Sequence, residues 1–311
     1  MNKEKLSVVT TFTGIGMQER GIEQTGLFDM EVLNTCELDI DAIISYAAIH
    51  KNLTFDMVDN FEDYPTKEEM VADLERKNIG FKFEKGKPYN WKKYLKGNKK
   101  ERELKTIWLA CKLNKNVGDI CKVDLFPYCD LFTFSFPCTD ISISGKQKGM
   151  IKGKTRSGLV YEVLRILHNM KANNCLPKYL LMENVAALVN KRNLEHYLEL
   201  NKEFDSLGYN CYYKVINAKF CGVPQNRERV FALYVRKDIN LSNFEFPKNF
   251  DTGIRLKDIL EDNVDDSFFV RNEKANEVLN KILAENDLDE KDFEKNTNIK
   301  MIRNIKVIEN K

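Results

Sequence analysis

Residues 6–21 read LSVVTTFTGIGMQERG and pass from a β-branched run, through the turn TGIG, into a stretch of helical character. The β-branched run predicts a strand. Glycine lets the backbone turn sharply and lets a ligand approach closely, and a helix start attracts polar or anionic groups. Residues 31–38 predict a second strand, and residues 39–50 predict a second helix capped by Asp39 or Asp41. This alternation is typical of an α/β fold with a doubly wound, mostly parallel sheet.

The same alternation resumes later in the chain. Residues 129–137 (CDLFTFSFP) form a continuous apolar run of the kind that a strand buried on both faces needs. Apolar spacing predicts helices over residues 158–172 and 193–206. Further strands are predicted in KYLLMENV (178–185), YNCYYKVINA (209–218) and RVFALYVRK (229–237). From about residue 240 the periodicity weakens and the sequence becomes acidic and polar.

A basic stretch, residues 62–115, interrupts the alternation. Between residues 76 and 102 there are eleven Lys or Arg against two acids. Aromatic residues are interleaved with them: Phe81, Phe83, Tyr89, Trp91 and Tyr94. We interpret residues 62–115 as an insertion into the sheet domain, and a solvated surface excursion is one alternative for residues 76–102.

Composition sets limits on the class of protein. The 311 residues are 43% hydrophobic and 31% charged, with a net charge of +2 that points to no partner. No apolar run reaches 18 residues and the first residues lack a signal-peptide pattern, so we expect a soluble cytoplasmic protein without membrane contact. The eight cysteines form no CxxC pair and the three histidines are scattered, so no metal site is expected. At least six of the cysteines should be small buried hydrophobes.

The first glycine turn is a candidate nucleotide site. Glu37 ends the predicted second strand, and in doubly wound folds an acid at this place binds ribose hydroxyls. The turn is not GxGxxG, because the next glycine after Gly16 is Gly21, and an ordinary strand–helix turn is an equal alternative. If the turn is a site, its ligand carries an adenosine, and Asp119 in VGDI (117–120) supplies a second carboxylate beside the base.

Cys138 directly follows Pro137 at the end of an apolar strand. Proline cannot continue a central ladder, so the thiol should stand at the lip of a cleft, where open α/β sheets place their chemistry. Only the thiolate attacks, and it needs amide dipoles or positive charge nearby. The loop 145–158, with five Lys or Arg, and the arginines of QNRER (225–229) are candidates. The alternative is a buried structural cysteine.

The next strand ends in Glu183-Asn184-Val185, and neighbouring strand ends point into one cleft. A carboxyl group beside a nucleophilic cysteine suits a substrate with a ring nitrogen that is protonated as the thiolate attacks. Arg227 and Arg229 stand at i and i+2, on one face of an extended segment. A solvated salt-bridge strip is the alternative for these two arginines.

These pieces, in their order, resemble a known family. FTGIG, CELD, GDI, SFPCTDIS, TRSGL, ENV and QNRER occur between residues 6 and 236, as in the cytosine-5 DNA methyltransferases of bacterial and phage modification systems. The resemblance implies a Rossmann-like methyltransferase fold that uses S-adenosyl-L-methionine. It implies methyl transfer to carbon 5 of a cytosine flipped out of double-stranded DNA, as in restriction–modification systems.

The resemblance also implies a role for each matching residue. Cys138 would attack carbon 6 of cytosine and Glu183 would bind or protonate ring nitrogen 3. Arg227 and Arg229 would orient the base and the thiolate. Asn184, Val185 and Gln225 would contact the substrate. The cofactor would be bound by Phe12, Thr13, Gly14, Ile15, Gly16, Glu37 (ribose), Asp119 and Ile120 (adenine), Pro137 and Leu159.

The end of the chain departs from the family. After QNRER the family has a recognition domain and two closing motifs that complete the cofactor pocket, and RLKDIL (255–260) matches neither. We therefore expect a catalytic domain over residues 1–240 and the start or remnant of a recognition region over 241–311. A second polypeptide that completes the pocket, a truncated remnant and a fragment are the open explanations.

Two basic segments would then meet nucleic acid. The loop 145–158 is expected to close over the site, and residues 76–102 would track the phosphate backbone. Three other functions remain open. One branch of the family methylates tRNA, and a non-catalytic assembly subunit would keep the fold. A nicotinamide dehydrogenase would suit the first turn but leave Cys138 and the ENV segment unexplained.

Overall fold

The computed structural model describes residues 3–81, 87–138, 141, 155–241, 244–261, 264–265, 273, 277 and 280–281. The chain divides into two compact units, Met1–Ile254 and Arg255–Lys311. The predicted catalytic domain, residues 1–240, lies within the first unit and stays a prediction. Phe83, residues 145–154 of the basic loop and most of the helical segment 272–286 lie outside the described residues.

The first unit contains a mostly parallel sheet. Its strand order is β2-β1-β3-β4-β6-β5. The first four strands in this order are parallel, and β6 runs antiparallel to both of its neighbours. The strands are β1 (Glu4–Thr11), β2 (Phe28–Cys36), β3 (Leu131–Phe134), β4 (Tyr179–Val185), β5 (Tyr209–Asn217) and β6 (Glu228–Arg236).

Seven α-helices are described between these strands. Asp39 caps α2, since its carboxylate accepts a hydrogen bond from the Ala42 amide at 2.9 Å. Gly26 ends α1 in the left-handed conformation. The helices are α1 (Met17–Thr25), α2 (Ile40–Lys51), α3 (Phe55–Asn60), α4 (Lys67–Arg76), α5 (Glu101–Leu113), α6 (Val160–Ala172) and α7 (Leu194–Leu207).

Both faces of the sheet are covered. Phe132 and Phe134 lie on one face and pack into the cluster that holds α6 and α7, where the Phe134 and Phe204 rings are 5.8 Å apart. Val8 and Thr133, on the other face, are also fully buried. This confirms the doubly wound fold, because a sheet solvated on one face would leave one of these sets exposed. Among the described helices, none is long and apolar enough to cross a membrane.

Strand β3 is shorter than the sequence predicts. It ends at Phe134, three residues before Pro137, and the chain leaves the sheet there. The buried amide of Asn184, near the end of β4, donates to the Phe136 carbonyl at 3.0 Å. The segment that leads to Cys138 is therefore held by a side chain of the neighbouring strand and not by ladder pairing.

The alternative that residues 76–102 are a solvated surface excursion is wrong. Helices α4 and α5 adjoin these residues and pack with α2 and α3 into a second apolar cluster. Trp91 and Tyr94 are buried in this cluster, and the Trp91 indole donates to the Ile79 carbonyl at 3.2 Å. The many lysines do not distinguish a solvated segment from a packed one, because amphipathic helices with a charged outer face also raise the number of charged residues.

Part of the supposed insertion belongs to the sheet domain itself. Helix α5 leads to Asn116, which forms a parallel bridge with Thr35 of β2. The Val117 amide donates to the Thr35 carbonyl at 2.9 Å. The stretch therefore ends as an ordinary crossover from β2 to the next position along the sheet edge.

Candidate active site

The glycine turn after β1 is fastened to the end of β2. Phe12, Gly14 and Gly16 all have positive φ angles, of 53°, 55° and 79°. The Thr13 hydroxyl accepts from the Cys36 amide at 3.1 Å, and the Thr13 amide donates to the Cys36 carbonyl at 3.3 Å. A Cβ on Gly16 would lie 2.4 Å from His50 Nε2, so only glycine fits there.

Glu37 is held by backbone amides. Its Oε2 accepts from the Gly14 amide at 2.8 Å, and its Oε1 accepts from the amides of Leu38 and Asp39 at 2.7 and 2.9 Å. Asn116 fixes the backbone of the same residue, because its side chain bonds both the amide and the carbonyl of Glu37 at 3.0 Å. A carboxylate has about four acceptor positions, so Glu37 keeps capacity for a ligand hydroxyl.

Asp119 is the second fixed carboxylate. It is buried, and its two oxygens accept from the Cys121 amide at 3.0 Å and from the Asn78 side chain at 2.8 Å. Gly118 must be glycine, since its φ is +83° and a Cβ would lie 2.1 Å from the Lys77 carbonyl oxygen. Asn78 was not predicted as a site residue. It lies in the stretch that the charge pattern assigned to the surface.

A cavity of about 550 Å³ lies between these loops. This volume is within the range of about 300–1,000 Å³ usual for small-molecule sites. Six of the predicted cofactor residues line it: Phe12, Glu37, Asp119, Ile120, Pro137 and Leu159. The other four, Thr13, Gly14, Ile15 and Gly16, form the turn that holds Glu37 and are not lining residues. Lining residues missed by sequence reasoning are Cys36, Leu38, Asp39, Ile40, Asp41, Gly80, Phe81, Tyr89, Glu103, Gly118 and Arg156.

The lining fits the adenosine part of S-adenosylmethionine. Two carboxylates held in place by hydrogen bonds, Glu37 and Asp119, can accept from ribose hydroxyls and from an exocyclic amino group. Ile120 and Leu159 add apolar surface for a base. No group of three His, Cys, Asp or Glu residues suited to a metal ion occurs in the described part of the chain.

Cys138 lies next to this cavity. Its neighbour Pro137 lines the cavity, and the Pro137 carbonyl accepts from the buried Ser157 hydroxyl at 2.7 Å. Cys138 itself is half-buried, and its carbonyl accepts from the Ile141 amide at 2.9 Å. The thiol is therefore not enclosed in the core, as a structural cysteine would be.

Glu183 and Arg229 form an ion pair, with Arg229 Nε 3.0 Å from Glu183 Oε1. Glu183 of β4 is opposite Phe231 of β6, and Val185 is opposite Arg229. The pair is thus diagonal on one face of neighbouring strands, where long side chains meet. Both side chains are about one-fifth exposed, at 23% and 22%, so a substrate could reach the pair.

The side chains of the other predicted substrate residues form no hydrogen bond or ion pair with the Glu183–Arg229 pair in the described contacts. Both polar atoms of Asn184 are engaged within the protein, by the Phe136 carbonyl and the Val185 amide. Arg227 is exposed before β6, and its amide donates to Asn217 at 3.2 Å. Gln225 is exposed in the same turn, while Val185 is half-buried at the last position of β4. The recorded contacts join Arg229, and not Arg227, to Glu183.

The expectation that six or more cysteines are buried is wrong. All eight are free thiols: Cys36, Cys111 and Cys129 are buried, Cys138, Cys175 and Cys211 are half-buried, and Cys121 and Cys221 are exposed. Burial raises the pKa of the Cys111 and Cys129 thiols to about 12. These two thiols stay protonated at neutral pH and are poor nucleophiles.

Comparison with known protein families identifies the family of this chain. The family model described as C-5 cytosine-specific DNA methylase matches residues 66–311. This chain belongs to that family. The predicted resemblance is therefore confirmed, and the chain is a DNA cytosine-5 methyltransferase of a family that uses S-adenosylmethionine.

Individual relatives of this methyltransferase support the same family assignment. It is 35% identical over 277 residues to the type II methyltransferase M2.ScrFI of Lactococcus lactis subsp. cremoris, covering 88% of this chain and 72% of the relative. It is 36% identical over 279 residues to the orphan methyltransferase M.SssI of Spiroplasma monobiae. That match covers 86% of this chain and 68% of the relative. Nothing in these comparisons supports a second polypeptide, which was one of three open explanations for the end of the chain.

The fold also has a solved counterpart. The Entamoeba histolytica methyltransferase EhMeth superposes with a TM-score of 0.53 at 15% sequence identity. The match covers 88% of this methyltransferase and 65% of the solved chain, so this chain spans about two thirds of that structure's length. The likeness supports the fold assignment.

Proposed function

We propose that this chain methylates carbon 5 of cytosine in double-stranded DNA through a covalent adduct with Cys138. The observation that carries the proposal is the meeting of three strand ends. Asn184 ties the segment before Cys138 to the end of β4, and the Glu183–Arg229 pair lies at that same end. Pro137 joins this group to the cofactor cavity.

The chemistry follows from the poor reactivity of the cytosine ring. The Cys138 thiolate forms a bond to carbon 6. At the same time ring nitrogen 3 either takes a proton from Glu183 or forms a strong hydrogen bond with it. Carbon 5 then has the electron density of an enamine, so one difficult step is divided into two easier ones. S-adenosylmethionine, when bound, supplies an electrophilic methyl group. Loss of the carbon 5 proton to a base and expulsion of the thiolate restore the aromatic ring.

Arg229 has a positioning role in this proposal. Its guanidinium holds the Glu183 carboxylate in place and partly neutralises it before a base enters. Arg227 is exposed on the same turn and available for a phosphate or the base. The target cytosine must leave the duplex stack, at a cost of a few kcal/mol, because the thiol cannot reach carbon 6 inside the helix. Cytoplasmic location is part of this proposal, since cellular or phage DNA is the substrate.

A trapping experiment tests the nucleophile. The chain is incubated with S-adenosylmethionine carrying a labelled methyl group and duplex DNA in which 5-fluorocytosine replaces cytosine. Fluorine cannot leave as a proton does, so a labelled protein–DNA adduct should accumulate. Cys138→Ser should abolish the adduct, while Cys221→Ser, at an exposed thiol away from the cavity lining, should form it normally.

Two results would contradict the proposal. An adduct that persists in Cys138→Ser means that another group attacks the base. Preferential labelling of unmodified tRNA over unmodified duplex DNA in a parallel methyl-transfer assay favours the RNA alternative.

A further inference from the structure

One wall of the cofactor cavity comes from a segment to which the family resemblance assigns no role. Gly80, Phe81 and Tyr89 line the cavity, and all three lie in the basic stretch 62–115. The side chains of Phe81 and Tyr89 are half-buried. The cavity therefore has an aromatic wall facing the loops that carry Glu37 and Asp119.

Hydrogen bonds fasten this wall to both loops. The Gly80 amide donates to the Leu38 carbonyl at 2.8 Å, next to Glu37. The Asn78 side chain donates to Asp119 at 2.8 Å, and the Asp119 amide donates to the Lys77 carbonyl at 3.0 Å. Residues 77–80, bonded to both loops, therefore keep their place when the cavity is empty, and this part of the wall is preorganised for a ligand.

Tyr89 is the part of this wall that is most firmly placed. A Cβ on Gly80 would lie 3.0 Å from Tyr89 Cβ and Cγ, so the tyrosine packs directly on the glycine backbone. Its ring centroid is 4.7 Å from that of the buried Trp91. Its hydroxyl accepts from Lys93 at 2.8 Å and lies 3.2 Å from the Tyr94 hydroxyl. These contacts leave the ring little freedom to turn.

The wall lies at the nucleoside end of the site. The transferred methyl group must approach the base held by Cys138, on the Pro137 side of the cavity. Tyr89 packs instead on Gly80, whose amide donates to the Leu38 carbonyl next to Glu37. A purine base presents a flat π-face, and stacking on an aromatic ring is worth about 1–3 kcal/mol.

We propose that the purine of the cofactor packs against Tyr89, which makes this tyrosine a binding residue for the nucleoside. The inference rests on the proposed function. The ring itself is the recognition surface, and the hydroxyl serves to hold it through Lys93 and Tyr94.

Binding measured by calorimetry on the full chain tests the inference. The probes are S-adenosylhomocysteine and 5′-methylthioadenosine, which keeps the nucleoside and lacks the amino acid. Tyr89→Ala should weaken the affinity for both probes by about 10- to 100-fold, the loss expected for one stacking contact. Tyr89→Phe keeps the ring and should stay within about threefold of the wild type.

Two further variants distinguish the loss of the stacking contact from a loss of folding. Tyr89→Leu keeps apolar volume without a π-face, so it should also lose affinity for 5′-methylthioadenosine, and it replaces Tyr89→Ala if that variant unfolds. Tyr128→Ala removes an exposed tyrosine that does not line the cavity and should bind both probes normally. Thermal unfolding without ligand confirms that each variant is folded.

The possible failures are distinguishable. If the wild type does not bind S-adenosylhomocysteine, the proposed function fails. If the wild type binds it, and folded Tyr89→Ala or Tyr89→Leu binds 5′-methylthioadenosine as tightly, the inference alone is overturned. A loss in Tyr89→Phe as large as in Tyr89→Ala also overturns it, because the hydroxyl and not the ring would then be the contact.

Discussion

The cofactor end and the catalytic end of this site hold their carboxylates in different ways. Glu37 accepts from three backbone amides, which are fixed by the end of β2 and the glycine turn. Glu183 has one recorded partner among the described residues, the side chain of Arg229. Backbone amides cannot move without moving the sheet, whereas an arginine can exchange one partner for another. The difference suggests a rigid end for binding and an adjustable end for chemistry.

The largest expected effect separates the two ends directly. Glu183→Gln removes the ionisable group at the catalytic end, so methyl transfer to DNA should fall by about 10²–10⁴-fold, the usual contribution of a positioned acid or base. Affinity for S-adenosylhomocysteine should be unchanged, because Glu183 does not line the cavity. The control is Glu199→Gln on the exposed face of α7. A loss of cofactor affinity equal to the loss of rate would mean that the two ends are one unit.

A smaller effect is expected at the rigid end. Glu37→Gln replaces an acceptor oxygen by an amide donor opposite fixed backbone donors, so affinity for S-adenosylhomocysteine should fall by about 10- to 100-fold. Glu31→Gln, on β2 and with a side chain 69% exposed, should bind normally. The measurement is a calorimetric titration of each variant. Unchanged affinity in Glu37→Gln would show that the amide cluster serves the fold and not the ligand.

The smallest effect concerns a carboxylate with no ligand role. Asp130, at the opposite end of β3, accepts from the Ser7 amide at 3.0 Å and the Ser7 hydroxyl at 2.7 Å. Partial burial favours a higher pKa, but the hydrogen bonds from Ser7 and Lys178 outweigh it and lower the pKa of Asp130 to about 2. Asp130→Asn should lower the free energy of unfolding at pH 7 by about 1–2 kcal/mol, with methyl transfer unchanged.

The pH dependence of that loss has a definite sign. A folded-state pKa below the unfolded value of about 3.9 gives stability that is complete above pH 5 and is lost as the pH falls toward 2. Urea unfolding between pH 7 and pH 3 should therefore show the wild type and Asp130→Asn converging at low pH. Asp124→Asn, whose side chain is 92% exposed, should show almost no difference at any pH. A constant gap for Asp130→Asn would exclude ionisation as the cause.

The sheet and both candidate centres could be predicted from the sequence because their signals are local. Alternating strands and helices indicated the doubly wound fold, and Asp39 caps α2 as expected. Cys138 and Glu183 were predicted from their places at strand ends, since strand ends of a parallel sheet meet at one edge. The match to the family confirms the methyltransferase assignment, while the roles of the individual residues stay predictions.

The errors arose where tertiary contacts override what composition and local pattern indicate. Eleven basic residues between 76 and 102 indicated a solvated excursion, yet Trp91 and Tyr94 are buried in a helical cluster. The predicted strand over residues 129–137 ends at Phe134, because the Asn184 side chain holds the Phe136 carbonyl in place of a strand partner. Neither contact has a local sequence signal.

The sequence by itself determined the order of the strands, the helices α1, α2, α6 and α7, and the side chains at the strand ends, because apolar periodicity, glycine and proline act over a few residues. The tertiary structure alone decided that Arg229 pairs with Glu183, and that Asn78 and Tyr89 join Asp119 and Glu37 around one cavity. These residues are far apart in the chain. The ion pair depends on how β4 and β6 align, and the cavity depends on how α4, α5 and residues 77–81 and 87–100 pack with α2. Long-range packing of this kind leaves no periodic pattern in the sequence.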